Sequence, residues 1–321
     1  MSKRSNSPVP GSKTGAGSGL GTGSDHGTAL KACPLCGSAR FSAGHRLPDP
    51  LDPERAFTLM QCPVCSLLFT QPPPDPGQIK AYYSDAGYVS HSETAPGIRN
   101  RFYYQVRRWT VAGKRRLIRR LSGRSSGTLL DYGCGTGYFA AAMAGSGWEV
   151  TGLEPDAGAR AIAAGRHAFR IGEPGELFEL PTGFFDVITL WHVLEHIHAL
   201  HETLSQLTER LKPDGHLLIA LPNIASFDAR FYREAWAAYD VPRHLYHFSP
   251  EAVRHLAVRH GLDLAGMYPM WFDAFYIALL SSGRALEALG IGLWSNLRAL
   301  FNIERCSSII YHFKKGGPAI P

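Results

Sequence analysis

Long apolar runs are missing from this sequence. Residues 270–294 come nearest, but Asp273, Gly283, Arg284 and Glu287 interrupt them, whereas a membrane-spanning helix needs about 20 mainly apolar residues. Buried or interfacial helices are expected there instead. Cysteine is scarce: of six in 321 residues, four form two Cys-x-x-Cys pairs and two, Cys134 and Cys306, stand alone. That usage argues against a secreted disulfide framework and fits a reducing, cytoplasmic compartment. The first 29 residues lack the apolar core of a signal peptide and are dominated by Ser, Gly, Lys and Thr, so 1–30 is expected to be a disordered tail. No internal repeat is present, which argues against a solenoid.

Acidic residues are absent from 99–124, where ten Lys or Arg fall together although the whole chain carries a formal charge of only +6. Such a block can attract phosphate, anionic lipid or nucleic acid, and it equally suits a solvated helix face. Peripheral membrane contact through 99–124 is one expectation; nucleic-acid binding ranks below it. A hydrophobic share of 45% with 19% charged residues is enough to bury a full core.

The organisation follows from its punctuation. Residues 31–71 form a compact cysteine-bearing unit, closed by the run Gln71-Pro72-Pro73-Pro74-Asp75-Pro76, because proline lacks an amide donor and fixes φ. Residues 72–122 read as a helical, basic linker or cap, with Gly97, Gly113 and Gly123 as breaks and the aromatics Phe102-Tyr103-Tyr104 beside the arginines. From 123 to 316, strand-like runs at 128–131, 149–154, 168–171, 186–191, 216–221, 262–268 and 307–313 alternate with helical stretches. Alternation of this kind predicts an α/β fold, a mostly parallel sheet covered by helices on both faces.

Cys33-Pro34-Leu35-Cys36 and Cys62-Pro63-Val64-Cys65 have metal-ligand spacing. Each pair can place two thiolates on one ion, and four complete the closed tetrahedral shell of structural zinc. A redox pair or four inert buried cysteines are the alternatives.

The most informative segment is Leu129-Leu130-Asp131-Tyr132-Gly133-Cys134-Gly135-Thr136-Gly137, a strand running into a glycine turn before an Ala-rich helix. Glycines there let a ligand approach the main chain. Glu154 ends the next strand, where ribose hydroxyls need a carboxylate acceptor. A nicotinamide dinucleotide fits less well, since the Gly-x-Gly-x-x-Gly spacing is absent and Asp131 would repel pyrophosphate while accepting from an ammonium group.

These residues resemble the class I S-adenosylmethionine-dependent methyltransferases, whose first motif is Asp-x-Gly-x-Gly-x-Gly and whose second strand ends in an acid. The resemblance continues through Gly183-Phe184-Phe185-Asp186-Val187-Ile188, His192-Val193-Leu194-Glu195-His196 and Leu211-Lys212-Pro213-Asp214-Gly215. It implies a doubly wound, seven-stranded methyltransferase sheet over 123–316 and S-adenosylmethionine as cofactor. Asp131, Gly133, Gly135 and Gly137 would flank its methionine part, Glu154 its ribose and Glu176 its adenine, with Trp191 beside it. The cysteine module resembles the front end of bacterial glycan and natural-product methyltransferases, including sugar C-methyltransferases, but their Pro-Leu-x-Asn element and long C-terminal domain are lacking here.

In open parallel sheets ligands lie beyond the carboxyl ends of the strands. That places His192, Glu195 and His196, expected on one face of a helix, near the transferred methyl, together with Arg243 and His244 from Tyr239-Asp240-Val241-Pro242-Arg243-His244. A histidine near neutral pKa suits a base, whereas an ion-paired arginine and a loop-holding histidine are the structural alternatives. A small-molecule, glycan or lipid-linked acceptor is expected. An RNA-modifying enzyme ranks second, because no Asn-Pro-Pro-Tyr motif follows the fourth strand. A non-catalytic scaffold is the third reading.

Overall fold

Residues 27–83, 98–166 and 168–316 are described by a computed structural model, with side chains in the first helix from residue 106 onward. Of the tail expected at 1–30, residues 1–26 lie outside the described residues, as do the side chains of Phe102, Tyr103 and Tyr104.

Each cysteine pair folds into a tight turn. The Gly37 amide donates to the Cys33 carbonyl and the Ser66 amide to that of Cys62. The strands β1 (Ser42–Pro48), β2 (Ala56–Gln61) and β3 (Leu68–Gln71) then pair antiparallel in sequence order. Helix α1 (Ile98–Ser122) runs through Gly113 without the break expected there and stops at Gly123. A single glycine costs an exposed helix only about 1 kcal/mol, less than the neighbouring turns supply.

The main body alternates as expected. β4 (Gly127–Tyr132), α2 (Tyr138–Ala144), β5 (Trp148–Leu153), α3 (Ala157–Arg166), β6 (Arg170–Gly172), β7 (Phe185–Trp191), α4 (Leu200–Arg210) and β8 (Leu211–Pro222) lead to α5 (Phe227–Tyr232). The short β9 (Tyr246–His247), α6 (Pro250–Arg259), β10 (Leu262–Pro269), the hairpin of α7 (Trp271–Ser282) and α8 (Ala285–Phe301), and β11 (Ser308–Lys315) complete it.

Seven strands form one sheet in the order β10-β11-β8-β7-β4-β5-β6. β4, β5, β6, β7 and β8 pair parallel, while β11 runs antiparallel to both its neighbours. β7 reads Phe-Asp-Val-Ile-Thr-Leu-Trp and is buried up to its last residue, the pattern of a strand covered on both faces. The order reverses at β4, which opens a crevice at the carboxyl ends of β4 and β7.

β9 pairs with β3 and closes a four-stranded sheet. The cysteine unit therefore takes its last strand from beyond the boundary expected at 71. Cys33, Leu35, Cys62, Cys65, Leu67 and Phe69 also share one apolar core with Leu245, Phe248 and the main sheet. Apolar residues too few to make a core of their own are buried against the larger layer.

Candidate active site

Gly133, Gly135 and Gly137 all adopt positive φ, at 75°, 55° and 79°. At Gly133 the need is steric as well: a Cβ there would meet Val193 Cγ2 at 2.4 Å. At Gly135 a Cβ would meet no protein atom within 4 Å, so the turn offers open backbone to a ligand. Both oxygens of Glu154 are engaged, Oε2 by the Gly135 amide at 2.8 Å and Oε1 by the Asp156 amide at 2.9 Å. Glu154 is thus buried and braces the glycine turn, a structural task in addition to the ribose contact expected of it. Each carboxylate oxygen has a second lone pair for a ligand hydroxyl.

Asp131, only 1% exposed, accepts from the Thr189 hydroxyl at 2.7 Å. Burial pushes its pKa up to about 7, against the opposing influence of Thr189 and Lys114. Lys114 comes from the basic α1 but points inward. Its ammonium lies 4.0 Å from the centre of the Trp191 ring, and burial lowers its pKa to about 8 while Asp131 and Asp273 oppose. Glu176 is committed elsewhere: its carboxylate accepts from the Glu173 amide in a capping box and pairs with Arg170 at 3.0 Å.

The turn after β7 is not the helix expected from its spacing. His192 has φ 56°, and only Leu194–His196 form a single 3₁₀ turn, because the chain must bend sharply to pack Val193 on Gly133. His192 Nε2 lies 3.0 Å from Asp273 Oδ2 of α7, and its Nδ1 lies 3.6 Å from Glu195 Oε1. Burial favours the neutral ring, but the two carboxylates outweigh it and raise His192 to about 9. His196 is shifted the other way, to about 4, by burial and by His244. Neither histidine has the near-neutral pKa expected of a base. Burial raises Glu195, and His192, His196 and His244 more than offset it, holding the carboxyl below its ordinary range.

The segment before β9 folds directly onto this turn. The Leu245 amide donates to the Glu195 carbonyl at 2.8 Å, and the rings of His196 and His244 lie 4.6 Å apart. Arg243 is held by Asp240 through Nε, with both oxygens at 3.0 Å, and donates to the Tyr82 carbonyl at 3.0 Å, so the ion-pair alternative applies to it. The Thr70 hydroxyl of β3 donates to the His244 carbonyl at 2.7 Å and lies 3.1 Å from His247 Nε2. The cysteine unit thereby supports the floor of the site. Asp273, Lys114, Thr189 and Tyr83, whose hydroxyl is 3.0 Å from His196 Nδ1, were not singled out from the sequence. Only the lone acid at the start of an apolar helix hinted at Asp273.

None of the six cysteines forms a disulfide, and four of them meet at the other end of the cysteine unit. Cys33 and Cys65 sulfurs lie 3.5 Å apart, those of Cys36 and Cys62 3.6 Å apart, and all four fall within 4.8 Å of one another. Zinc–sulfur bonds of about 2.3 Å in a tetrahedron put sulfurs about 3.8 Å apart, so this donor set fits structural zinc.

A family model described as a methyltransferase domain matches residues 103–265. A protein of Mycolicibacterium smegmatis named "Probable S-adenosylmethionine-dependent methyltransferase" is 32% identical over 142 residues, covering 43% of this chain and 53% of that protein. The ubiquinone biosynthesis O-methyltransferase of Pectobacterium atrosepticum is 31% identical over 116 residues, covering 33% and 47%. The chain thus spans about half the length of the curated relatives it matches. Among solved structures, an S-adenosylmethionine-dependent methyltransferase from Archaeoglobus fulgidus superposes with a TM-score of 0.45 at 20% identity, covering 68% of this chain and 100% of that one.

Proposed function

Because this chain belongs to the methyltransferase-domain family, we propose that it transfers a methyl group from S-adenosylmethionine to a hydroxylated small-molecule, glycan or lipid-linked acceptor. The observation that carries the reading is the open glycine turn braced by Glu154 at the switch point of the sheet, opposite the His192 to His244 cluster. When bound there, S-adenosylmethionine supplies an electrophilic methyl on a sulfonium. Asp131 accepts from its ammonium group, Glu154 from its ribose, and Trp191 and the glycines bound the hollow. Glu176 is left out, since its carboxylate is taken by Arg170 and the Glu173 amide.

On the acceptor side positioning dominates, which suits a transfer whose barrier falls mainly through orientation. His192 is cationic at neutral pH and orients the acceptor or its own turn rather than taking a proton. Arg243 shapes the loop through Asp240, and His196 presents a neutral ring against that of His244. Structural zinc on Cys33, Cys36, Cys62 and Cys65 fixes the unit that carries Thr70. The test is calorimetry with S-adenosylmethionine, followed by methyl transfer from labelled cofactor to candidate phenolic and glycan acceptors. No binding by folded protein would overturn the reading.

An acceptor at a membrane surface is favoured by the hairpin beside the site. On α8 the inward face is small, with Ala288, Gly292, Ser295 and Ala299 buried. The outward face carries Leu286, Leu289, Leu293, Leu297, Leu300 and Phe301, with Leu286 at 87% and Phe301 at 85% exposure. A helix in water normally shows the reverse pattern. Trp109 of α1 lies 6.4 Å from Phe272 of α7, so the exposed Arg108, Arg115, Arg116, Arg119 and Arg120 belong to an element adjoining the hairpin. An apolar stripe with adjoining cations matches an anionic lipid surface. No described helix is long and apolar enough to cross a membrane. The name of the Pectobacterium relative, which concerns ubiquinone, is compatible with a lipid-borne hydroxyl.

A further inference from the structure

Three groups able to ligate a metal converge at the floor of the site. One ring nitrogen each of His196 and His244 and one carboxylate oxygen of Glu195 all lie within 4.8 Å. Nδ1 of His196 faces the Arg243 carbonyl at 2.9 Å, and Nδ1 of His244 faces that of Ala238 at 2.8 Å. A carbonyl can only accept, so both Nδ1 atoms donate, the Tyr83 hydroxyl lying 3.0 Å from that of His196 as well, and the Nε2 atom of each ring is left as the metal-ligating position, with Asp240 Oδ2 3.7 Å from that of His244. Histidine ligands of metals are oriented by such carbonyl bonds. Glu195 is 1% exposed, and neither of its oxygens has a hydrogen-bond partner. His192 Nδ1, at 3.6 Å, is too far for one.

A carboxylate buried without hydrogen bonds is costly, and the His192 ring at 3.6 Å offsets that cost by charge, without a hydrogen bond. A cation among the three would satisfy all of them. We propose that Glu195, His196 and His244 bind a divalent first-row transition metal, separate from the four-cysteine zinc. Two imidazoles and one carboxylate suit manganese, iron, cobalt, nickel or zinc, whereas magnesium and calcium prefer oxygen shells. Three protein ligands leave open positions, unlike the closed thiolate set. The ligands come from two segments joined by the Leu245 amide to Glu195 carbonyl bond, so the site is organised before any ion arrives. On the methyl-transfer reading, the open positions take an acceptor hydroxyl, whose O–H bond breaks more readily on the ion with the proton released to solvent.

The test is the metal content of the full chain, stripped with chelator and titrated with cobalt(II). Wild type should take two equivalents, one with intense thiolate charge-transfer bands and one with the weak visible bands of a nitrogen and oxygen shell. His244→Ala and the near-isosteric Glu195→Gln should each lose only the second, with circular dichroism unchanged. Thiolate bands alone in wild type, or a second equivalent retained in folded Glu195→Gln, would overturn the inference. Calorimetry with S-adenosylmethionine on the same samples keeps the two readings apart: cofactor binding without the second ion sinks the metal site alone, and the second ion without cofactor binding sinks the methyltransferase reading alone.

Discussion

At the end of β4, three glycines with positive φ set main chain against the crevice, and one carboxylate from the next strand holds them there. Across the crevice, the end of β7 presents side chains gathered from distant segments: His192 to His196, Asp240 to His247, Asp273 and Tyr83. The first wall is a short stretch of backbone with few ways to fold. The second depends on the N-terminal sheet, on α7 and on the loop before β9 keeping their places. The cofactor wall should therefore tolerate damage at a distance, and the acceptor wall should not.

The largest expected effect separates the two walls through the metal. Cys36→Ser should lose zinc and loosen the N-terminal sheet, since structural zinc contributes on the order of 10 kcal/mol in small zinc domains. Thr70 on β3 holds His244 and His247, so acceptor turnover should collapse while S-adenosylmethionine affinity changes little. Elemental analysis and calorimetry on the same sample check this. An equal loss on both sides would erase the distinction.

The converse damage is local. Gly133→Ala puts a Cβ 2.4 Å from Val193 Cγ2 at a φ of 75°, and strain with overpacking should cost about 2–5 kcal/mol of stability and most of the cofactor affinity. Chemical denaturation measures the first part. Adding Val193→Ala should recover the contact but not the backbone strain. Full stability in the single variant would mean that the turn is less tightly fixed than its geometry indicates.

Glu154→Ala should weaken S-adenosylmethionine binding by about ten- to a hundredfold, the value of one or two charge-assisted hydrogen bonds at about 1.5–3 kcal/mol. Because Glu154 also braces Gly135, a small loss of melting temperature should accompany it. Unchanged affinity would remove Glu154 from the cofactor wall.

On the outer surface, Leu293→Glu should reduce cosedimentation with anionic vesicles about tenfold, since withdrawing one leucine from an apolar phase costs about 1.5–3 kcal/mol. Cofactor affinity should not move. Equal vesicle binding by wild type and variant would rule out the hairpin as a lipid contact, and a concentration-dependent change in mass would assign it to a second copy instead.

The smallest effect is a fraction of a proton. Asp131 has a pKa of about 7 in the free protein, so near pH 7 it is partly protonated, and an ammonium ligand favours the charged form. Cofactor binding should release protons at that pH, and affinity should rise as pH increases through about 7. Calorimetry in buffers of different ionisation enthalpy measures the release, which Asp131→Asn should abolish. Proton uptake would contradict the placement of Asp131.

The sequence by itself determined the glycine turn and the sheet, because both depend on local rules. Continuous apolar runs specify parallel strands, and only glycine accepts a tight turn at positive φ with Val193 packed on it. Paired Cys-Pro-x-Cys turns likewise bring sulfurs together within a few residues. Other features were decided by tertiary structure. The spacing of His192, Glu195 and His196 suggested a helix, yet packing against Gly133 imposed a left-handed residue and a single 3₁₀ turn. The basic run of α1 read as surface, yet Lys114 turns inward over Trp191. Two histidines four residues apart acquired opposite pKa shifts, because Asp273 from a helix some eighty residues later faces only one of them. Burial and partners at long sequence separation set those properties, and no local pattern in the chain encodes either.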